Sequence, residues 1–263
     1  MRTLRSRGDN LTRFTYLLYQ LTLRDLKARY KQTFLGALWV FGRPLIELGV
    51  FAVVFGAFFR APSDGAPYPL FALTGVVLWS LVAGGLSRGT RSITAHAGLV
   101  AQTPFPRATV PLAAIAGALF DALLAAVMLA GLLIFEGRVP TLAALWIVPI
   151  TLLLLTIVAG LTLIACTLNV FYHDFGYLVD VGVRVWLLLT PVAYASSVVP
   201  ERYRAAYDLN PLVVLFDGAR GALLAGHAPD PASFGYPLAV AVAVLLVGAA
   251  LFHYAEPFFA ESV

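Results

Sequence analysis

Lysine occurs only twice in 263 residues, at Lys27 and Lys31, and neither follows a glycine. The chain therefore has no phosphate-cradling GxxxxGK(S/T) loop and cannot be its own ATPase of that type. Cysteine occurs once, at Cys166, so no intrachain disulfide is possible, and the simplest reading of that residue is a small apolar core position. The four histidines, His96, His173, His227 and His253, are scattered without HExxH or any tight ligand spacing, so no metal site is expected. A GxSxG nucleophile turn is also missing, which removes support for an intramembrane hydrolase. Charge of either sign is scarce, at 12% of residues, where soluble domains carry about 25%. That scarcity excludes a soluble enzyme.

What fills the chain instead is apolar: 60% of residues are hydrophobic and the mean hydropathy is +0.85. Six apolar blocks stand at 34–59, 68–87, 108–135, 141–168, 177–199 and 236–255. Each is about 20 residues or longer, the length a helix needs to cross about 30 Å of hydrocarbon, where only helices or closed barrels satisfy their own backbone. The expected fold is an all-α integral membrane protein of six transmembrane helices. Residues 1–34 are charged and lack a short apolar core with a small-residue cleavage site, so they do not read as a secretory signal.

Orientation follows from the basic residues, which collect on the cytoplasmic side. Arg2, Arg5, Arg7, Arg13, Arg24, Lys27, Arg29 and Lys31 precede the first block, and Arg88, Arg91 and Arg107 fall in the loop after the second. Arg60, Arg138, Arg202, Arg204 and Arg220 fall on the other side. Both termini are therefore expected in the cytoplasm. The net charge of +4 is explained by anionic headgroups beside the spans, so nucleic acid is set aside as a partner.

Between residues 10 and 32, Leu11, Phe14, Leu18 and Leu21 recur at helical spacing while Arg24, Lys27 and Lys31 share one face. Asp25 stands four residues before Arg29, placed to pair with it. The pattern predicts an amphipathic helix lying along the inner membrane surface. The stretch 200–235 holds a weakly apolar run, 209–226, opened by Asn210 as helix cap and Pro211 as first-turn residue. Asp217 and Arg220 sit inside that run, where each charge costs about 2.5–3.5 kcal/mol on insertion scales. The run is expected to be re-entrant or interfacial, on the outer side.

Four ionisable residues within the spans stand out: Arg43, Glu47, Asp121 and Arg184. Burying charge in lipid is expensive and marks packing against protein or a pathway. In the first span Trp39, Arg43, Glu47, Phe51, Phe55 and Phe59 follow every four residues and form one stripe. Arg43 and Glu47 are spaced to pair, and the aromatic half of the stripe suits a passage on which sugar rings rest. In the fifth span Asp180 and Arg184 share that spacing, with Tyr194 beyond. Trp39, Arg43, Glu47, Phe51, Phe55, Phe59, Arg184 and Tyr194 are the candidates for a substrate path, against a plain reading as helix packing and a structural ion pair.

The run LRDLKARYKQTFLGALWVFGRP over 23–44 resembles the entry into the first span of bacterial polysaccharide-export ABC permeases, the O-antigen and teichoic-acid exporter type. The similarity continues in order through PYPLF at 67–71, FPR at 105–107 with Pro111 beyond, VPER at 199–202, NPL at 210–212 and the stretch 220–224. It covers nearly the whole chain, 1–263, as one permease domain whose bundle spans 34–255. The resemblance implies a homodimer in the bacterial cytoplasmic membrane that moves a lipid-linked glycan outward. A separate nucleotide-binding subunit would supply the energy and carry the ATP and Mg, with no cofactor bound by this chain. It implies ATPase coupling through the loop carrying Arg88, Arg91, His96, Leu99, Phe105 and Arg107, and through the short loop carrying Tyr172, His173 and Asp174. That second loop reads NVFYHD at 169–174 where the family usually has NVRYRD, so two arginines of the contact are missing. On the outer side the resemblance implies short gate helices around Asn210, Pro211, Asp217 and Arg220. Three other readings remain: an ABC-type exporter of a small molecule or drug, an ion-coupled secondary transporter with Glu47 or Asp121 as proton carrier, and a non-transporting envelope scaffold.

Overall fold

The structure, a computed structural model, describes residues 2–31, 39–102 and 105–259, with side chains over 12–29, 41–100 and 105–259. Every regular element among them is helical. The order is α1 (Arg2–Lys31), α2 (Trp39–Phe51) continued by a π-helix (Ala52–Phe58), α3 (Tyr68–Thr90), α4 (Ser92–Ala95) and α5 (Ala97–Gln102). Next come α6 (Thr109–Phe135), a 3₁₀ turn (Leu142–Trp146) leading into α7 (Ile147–Phe171), and α8 (Phe175–Leu188). The chain ends through α9 (Glu201–Tyr207), α10 (Pro211–Arg220) with a π-helical turn (Gly221–Ala225), and α11 (Gly235–Ala255).

Five stretches among the described residues are long and apolar enough to cross a membrane: Phe41–Phe58, Tyr68–Thr90, Thr109–Phe135, Leu142–Phe171 and Pro231–Phe258. The expected fifth span, 177–199, is different. Its helix α8 stops after 14 residues, about 21 Å at 1.5 Å per residue and short of the hydrocarbon thickness. Pro191 offers no N–H to continue it, and a residue before proline is steered out of the helical region. The segment beyond folds back into the protein, with Val192, Ala193 and Ala195 buried.

Asn210 repairs that break. Its side-chain oxygen accepts from the Leu212 amide at 3.1 Å, capping α10 as anticipated, and from the Trp186 indole at 3.2 Å. Its amide nitrogen donates to the Leu189 carbonyl at 3.1 Å and the Thr190 hydroxyl at 3.0 Å. Tyr194 adds a hydroxyl donated to the Leu188 carbonyl at 2.9 Å. Carbonyls left open where a helix ends in a low-dielectric setting must find such donors.

Helix α3 is the hub: Leu70, Leu73 and Val82 are fully enclosed, and it packs against α2, α6, α7, α8 and α10. The largest core cluster joins its Leu81 and Val82 to Leu154 and Ile157 of α7 and to Leu215 and Phe216 of α10. A second cluster ties Ile93 and Val100 of α4 and α5 to Cys166, Phe252 and Phe259, so Cys166 is the buried core residue it was read as. Within lipid, helices associate by close packing rather than by expulsion of water, and small residues let backbones approach. At the α7–α11 crossing a Cβ on Gly160 would stand 2.6 Å from the Val244 carbonyl, and one on Gly248 would overlap the Gly160 carbonyl oxygen.

Candidate functional site

The amphipathic helix begins earlier than expected and packs its C-terminal half on α6, with Leu21 and Leu26 buried. Its Arg29 does not pair with Asp25. The guanidinium reaches across to Asp121 of α6 at 2.6 Å, and Arg88 of α3 approaches the same carboxylate oxygen at 3.1 Å. Three elements distant in sequence are thus pinned at one carboxylate.

That knot forms one wall of a cavity of about 580 Å³ bounded by α1, α2, α3, α6 and α8. All four span-embedded ionisable residues singled out above line it: Arg43, Glu47, Asp121 and Arg184. Asp180, Ser80, Ser87 and Trp79 complete much of its polar surface. Arg43 and Glu47 pair at 3.2 Å, as their spacing predicts. Asp180 spends its carboxylate on Arg91 at 2.6 Å, and the same guanidinium nitrogen donates to the Gly176 carbonyl at 2.8 Å. Four arginines, Arg29, Arg43, Arg88 and Arg184, face three carboxylates, Glu47, Asp121 and Asp180, so the lining carries a net charge of 4 − 3 = +1. Sequence reasoning missed Arg29 and passed over Asp180, because spacing along one helix says nothing of partners on another.

The aromatic stripe is not continuous with this lining. Phe51, Phe55 and Phe59 form a ladder with ring centroids 5.9 and 6.1 Å apart, but Phe51 packs against the main core and Phe59 is 72% exposed. Trp39 opens α2, and its side chain lies outside the described residues. Tyr194 lies away from the cavity, spent on capping α8.

At the end of the bundle that holds α4 and α5, Leu99 and Phe105 pack on the second core cluster. Arg107 donates its backbone N–H to the Glu256 carboxylate at 3.0 Å and a guanidinium N–H to the Glu256 carbonyl. Tyr172, His173 and Asp174 sit exposed at the turn between α7 and α8, with Asn169 behind them donating to the Thr94 hydroxyl at 3.4 Å.

His96 is not the solvated surface residue its isolation in sequence implies. Its Nδ1 lies 2.8 Å from the Ser92 carbonyl and its Nε2 3.5 Å from the Asp25 carboxylate. Both neighbours only accept, so a protonated ring can donate to both while a neutral one donates to only one. The Asp25 hydrogen bond, opposed by burial, raises the His96 value above its usual range. Burial pushes the Asp25 carboxyl up, but the His96 hydrogen bond and charge and the neighbouring Arg24 outweigh it and the net shift is downward. A raised histidine stabilises the contact fully below its ordinary value of about 6.5 and loses it as pH rises through the raised value. Amide exchange in α5, corrected for its intrinsic pH dependence, is therefore expected to quicken as pH climbs through that raised value. The His96→Gln variant is expected to lack that step, and an identical step in both proteins would rule the pair out as its source.

A multi-pass helical membrane protein with a charged cavity between α2, α3, α6 and α8 belongs to the class of membrane transport subunits. The profile of the ABC-2 type transporter family matches residues 16–224, and the chain belongs to that family. It is 31% identical over 197 residues to the O-antigen export system permease protein RfbA of Klebsiella pneumoniae, covering 74% of this chain and 75% of that one. The protein of the same name from Myxococcus xanthus is 27% identical across 96% of this chain and 97% of its own. The polysialic acid transport protein KpsM of Escherichia coli is 23% identical over 90% and 92%.

Proposed function

We infer that this chain is the transmembrane subunit of a polysaccharide ABC exporter, moving a lipid-linked glycan across the bacterial cytoplasmic membrane at the expense of ATP hydrolysed by a separate subunit. The observation that carries it is the agreement of family membership with the charged cavity. Arg43 is 72% exposed and Arg184 is exposed beside it, on helices that otherwise present Leu45, Ile46, Val50, Val181 and Val185. Facing hydrocarbon, each arginine would cost about 2.5–3.5 kcal/mol, so this face opens on a wet conduit. A second copy of the chain encloses that conduit, in keeping with the prevalence of twofold assemblies.

In this reading α8 and the buried segment after it together complete a sixth crossing, and both termini face the cytoplasm. The end bearing α4, α5 and the Tyr172–Asp174 turn then receives the ATPase. The ion-coupled alternative has less support, since Glu47 and Asp121 are both engaged by arginines, a poor arrangement for groups that must take up and release protons.

Deleting the gene in its own cell is expected to abolish the surface glycan and leave its lipid-linked precursor inside, with the unaltered chain restoring export. Export is expected to stop on ATP depletion with the proton gradient maintained. Unchanged surface glycan in the deletion, or export that follows the gradient instead, would overturn the reading.

A further inference from the structure

At the end of the bundle opposite α4 and α5 lies a second polar cavity, of about 360 Å³, and the geometry points to it as a subsite for the hydroxyl groups of a neutral sugar. The proposal rests on the polysaccharide-export reading, which puts this end on the outer side of the cytoplasmic membrane. Its floor is Arg220, with only 7% of its side chain exposed. The guanidinium lies 3.6 Å above the Phe71 ring, donates from Nη2 to the Val192 carbonyl at 2.8 Å and reaches the Phe71 carbonyl from Nε at 3.4 Å. Among the described residues no group hydrogen-bonds its Nη1. A charged donor so fully enclosed and left unmatched is costly, and in a cavity wall it marks a place for an acceptor.

The facing group is Asp217. Its Oδ1 stands 3.8 Å from that Nη1, too far for a direct hydrogen bond, and its side chain is 37% exposed toward the cavity. An oxygen between them would accept from Nη1 and donate its own proton to the carboxylate. A hydroxyl does both at once, whereas a phosphate oxygen ionised near neutrality only accepts and would meet the aspartate charge. The remaining lining agrees. Arg138 and Arg220 are balanced by Asp64 and Asp217, a net charge of 2 − 2 = 0, with Ser196 and His227 as further hydrogen-bonding groups. Arg138 has a guanidinium N–H committed to the Leu224 carbonyl at 2.8 Å. The cavity is thus built for a neutral, hydroxyl-bearing ligand rather than an anion.

Ala225 lies exposed at the lip, and the native thiol, Cys166, is buried. In the full chain with its ATPase partner in lipid nanodiscs, the Ala225→Cys variant is expected to react with a membrane-impermeant maleimide. Three soluble oligosaccharides at millimolar concentration, built of hexose, deoxyhexose and N-acetylhexosamine, provide the probes. At least one is expected to slow the labelling, while inorganic phosphate at matched ionic strength leaves it unchanged. Adding Asp217→Asn, which keeps the shape but removes the charged acceptor, is expected to raise the protecting concentration about tenfold. His227→Ala, at an exposed position, is expected to raise it less. Protection by phosphate, no protection by any of the three sugars, or protection indifferent to Asp217→Asn would each overturn the subsite. Export of surface glycan by the Ala225→Cys chain, measured in cells from which the native gene is deleted, keeps the outcomes apart. Export without protection removes only this subsite, whereas failure of the unaltered chain to restore export removes the transport reading itself.

Discussion

Replacing Asp121 with leucine is expected to loosen α1 from the bundle and destabilise the protein by about 3 kcal/mol. One carboxylate oxygen serves Arg29 at 2.6 Å and Arg88 at 3.1 Å, and the arginine side chains are only 31% and 30% exposed. Removing one partner of a buried ion pair costs about 3–5 kcal/mol because it strands an uncompensated charge. Here two guanidiniums lose that oxygen, but partial solvent access and the charges elsewhere in the cavity soften the loss toward the lower end of that range. The measurement is thermal stability in detergent, read alongside protease cleavage within α1. Asp121→Asn retains acceptor oxygen and volume and is expected to lose less, and Asp121→Glu less still. If all three variants melt with the unaltered protein, Asp121 does not hold α1 in place.

The same residue shows what could be read from the chain and what could not. The long apolar helices were legible because each must bury backbone polarity over about 20 residues in lipid, a demand that local composition alone expresses. The Arg43–Glu47 pair was legible for a similar reason, since four residues on a helix fix its geometry. The same rule misled at Asp25 and Arg29. There the local pairing lost to partners brought in by the fold, Asp121 for Arg29 across 92 positions and His96 for Asp25. Block 177–199 read as a span because its apolar residues run on past Leu188. Pro191 was the available sign that the helix would stop, while the reason the stop is tolerable, a cap from Asn210, lies 21 residues beyond the carbonyl it serves. The cavity itself is assembled from five helices, so its charged residues were visible one at a time and its shape was not. Asn210 as helix cap was read correctly, but what Arg220 rests on was settled by residues far away in sequence.

Gly75→Val is expected to be among the most damaging single changes in the chain, although it adds only methyl groups to an apolar helix. A Cβ at Gly75 would overlap the Val192 carbonyl oxygen and stand 2.8 Å from Nη2 of Arg220. The obstruction is backbone, so no rotamer change relieves it, and the buried segment after α8 must lift away from α3. That carbonyl is also the 2.8 Å acceptor of Arg220, so lifting it strands an enclosed guanidinium. Overpacking costs about 1–3 kcal/mol and a lost hydrogen bond to a charged group about 1.5–3 kcal/mol. Together they imply about 3–5 kcal/mol, a large fraction of the about 5–15 kcal/mol that holds a typical domain folded. Gly131 supplies the contrast, since nothing lies within 4 Å of a Cβ there. Gly131→Ala near the C-terminal end of α6 is expected to be neutral or to stabilise by about 0.5–1 kcal/mol through lower backbone entropy. The comparison is read as the yield and melting temperature of monodisperse protein in detergent. A Gly75→Val chain as stable as the Gly131→Ala chain would mean that the segment after α8 does not lie against α3, and with it would go the support beneath Arg220.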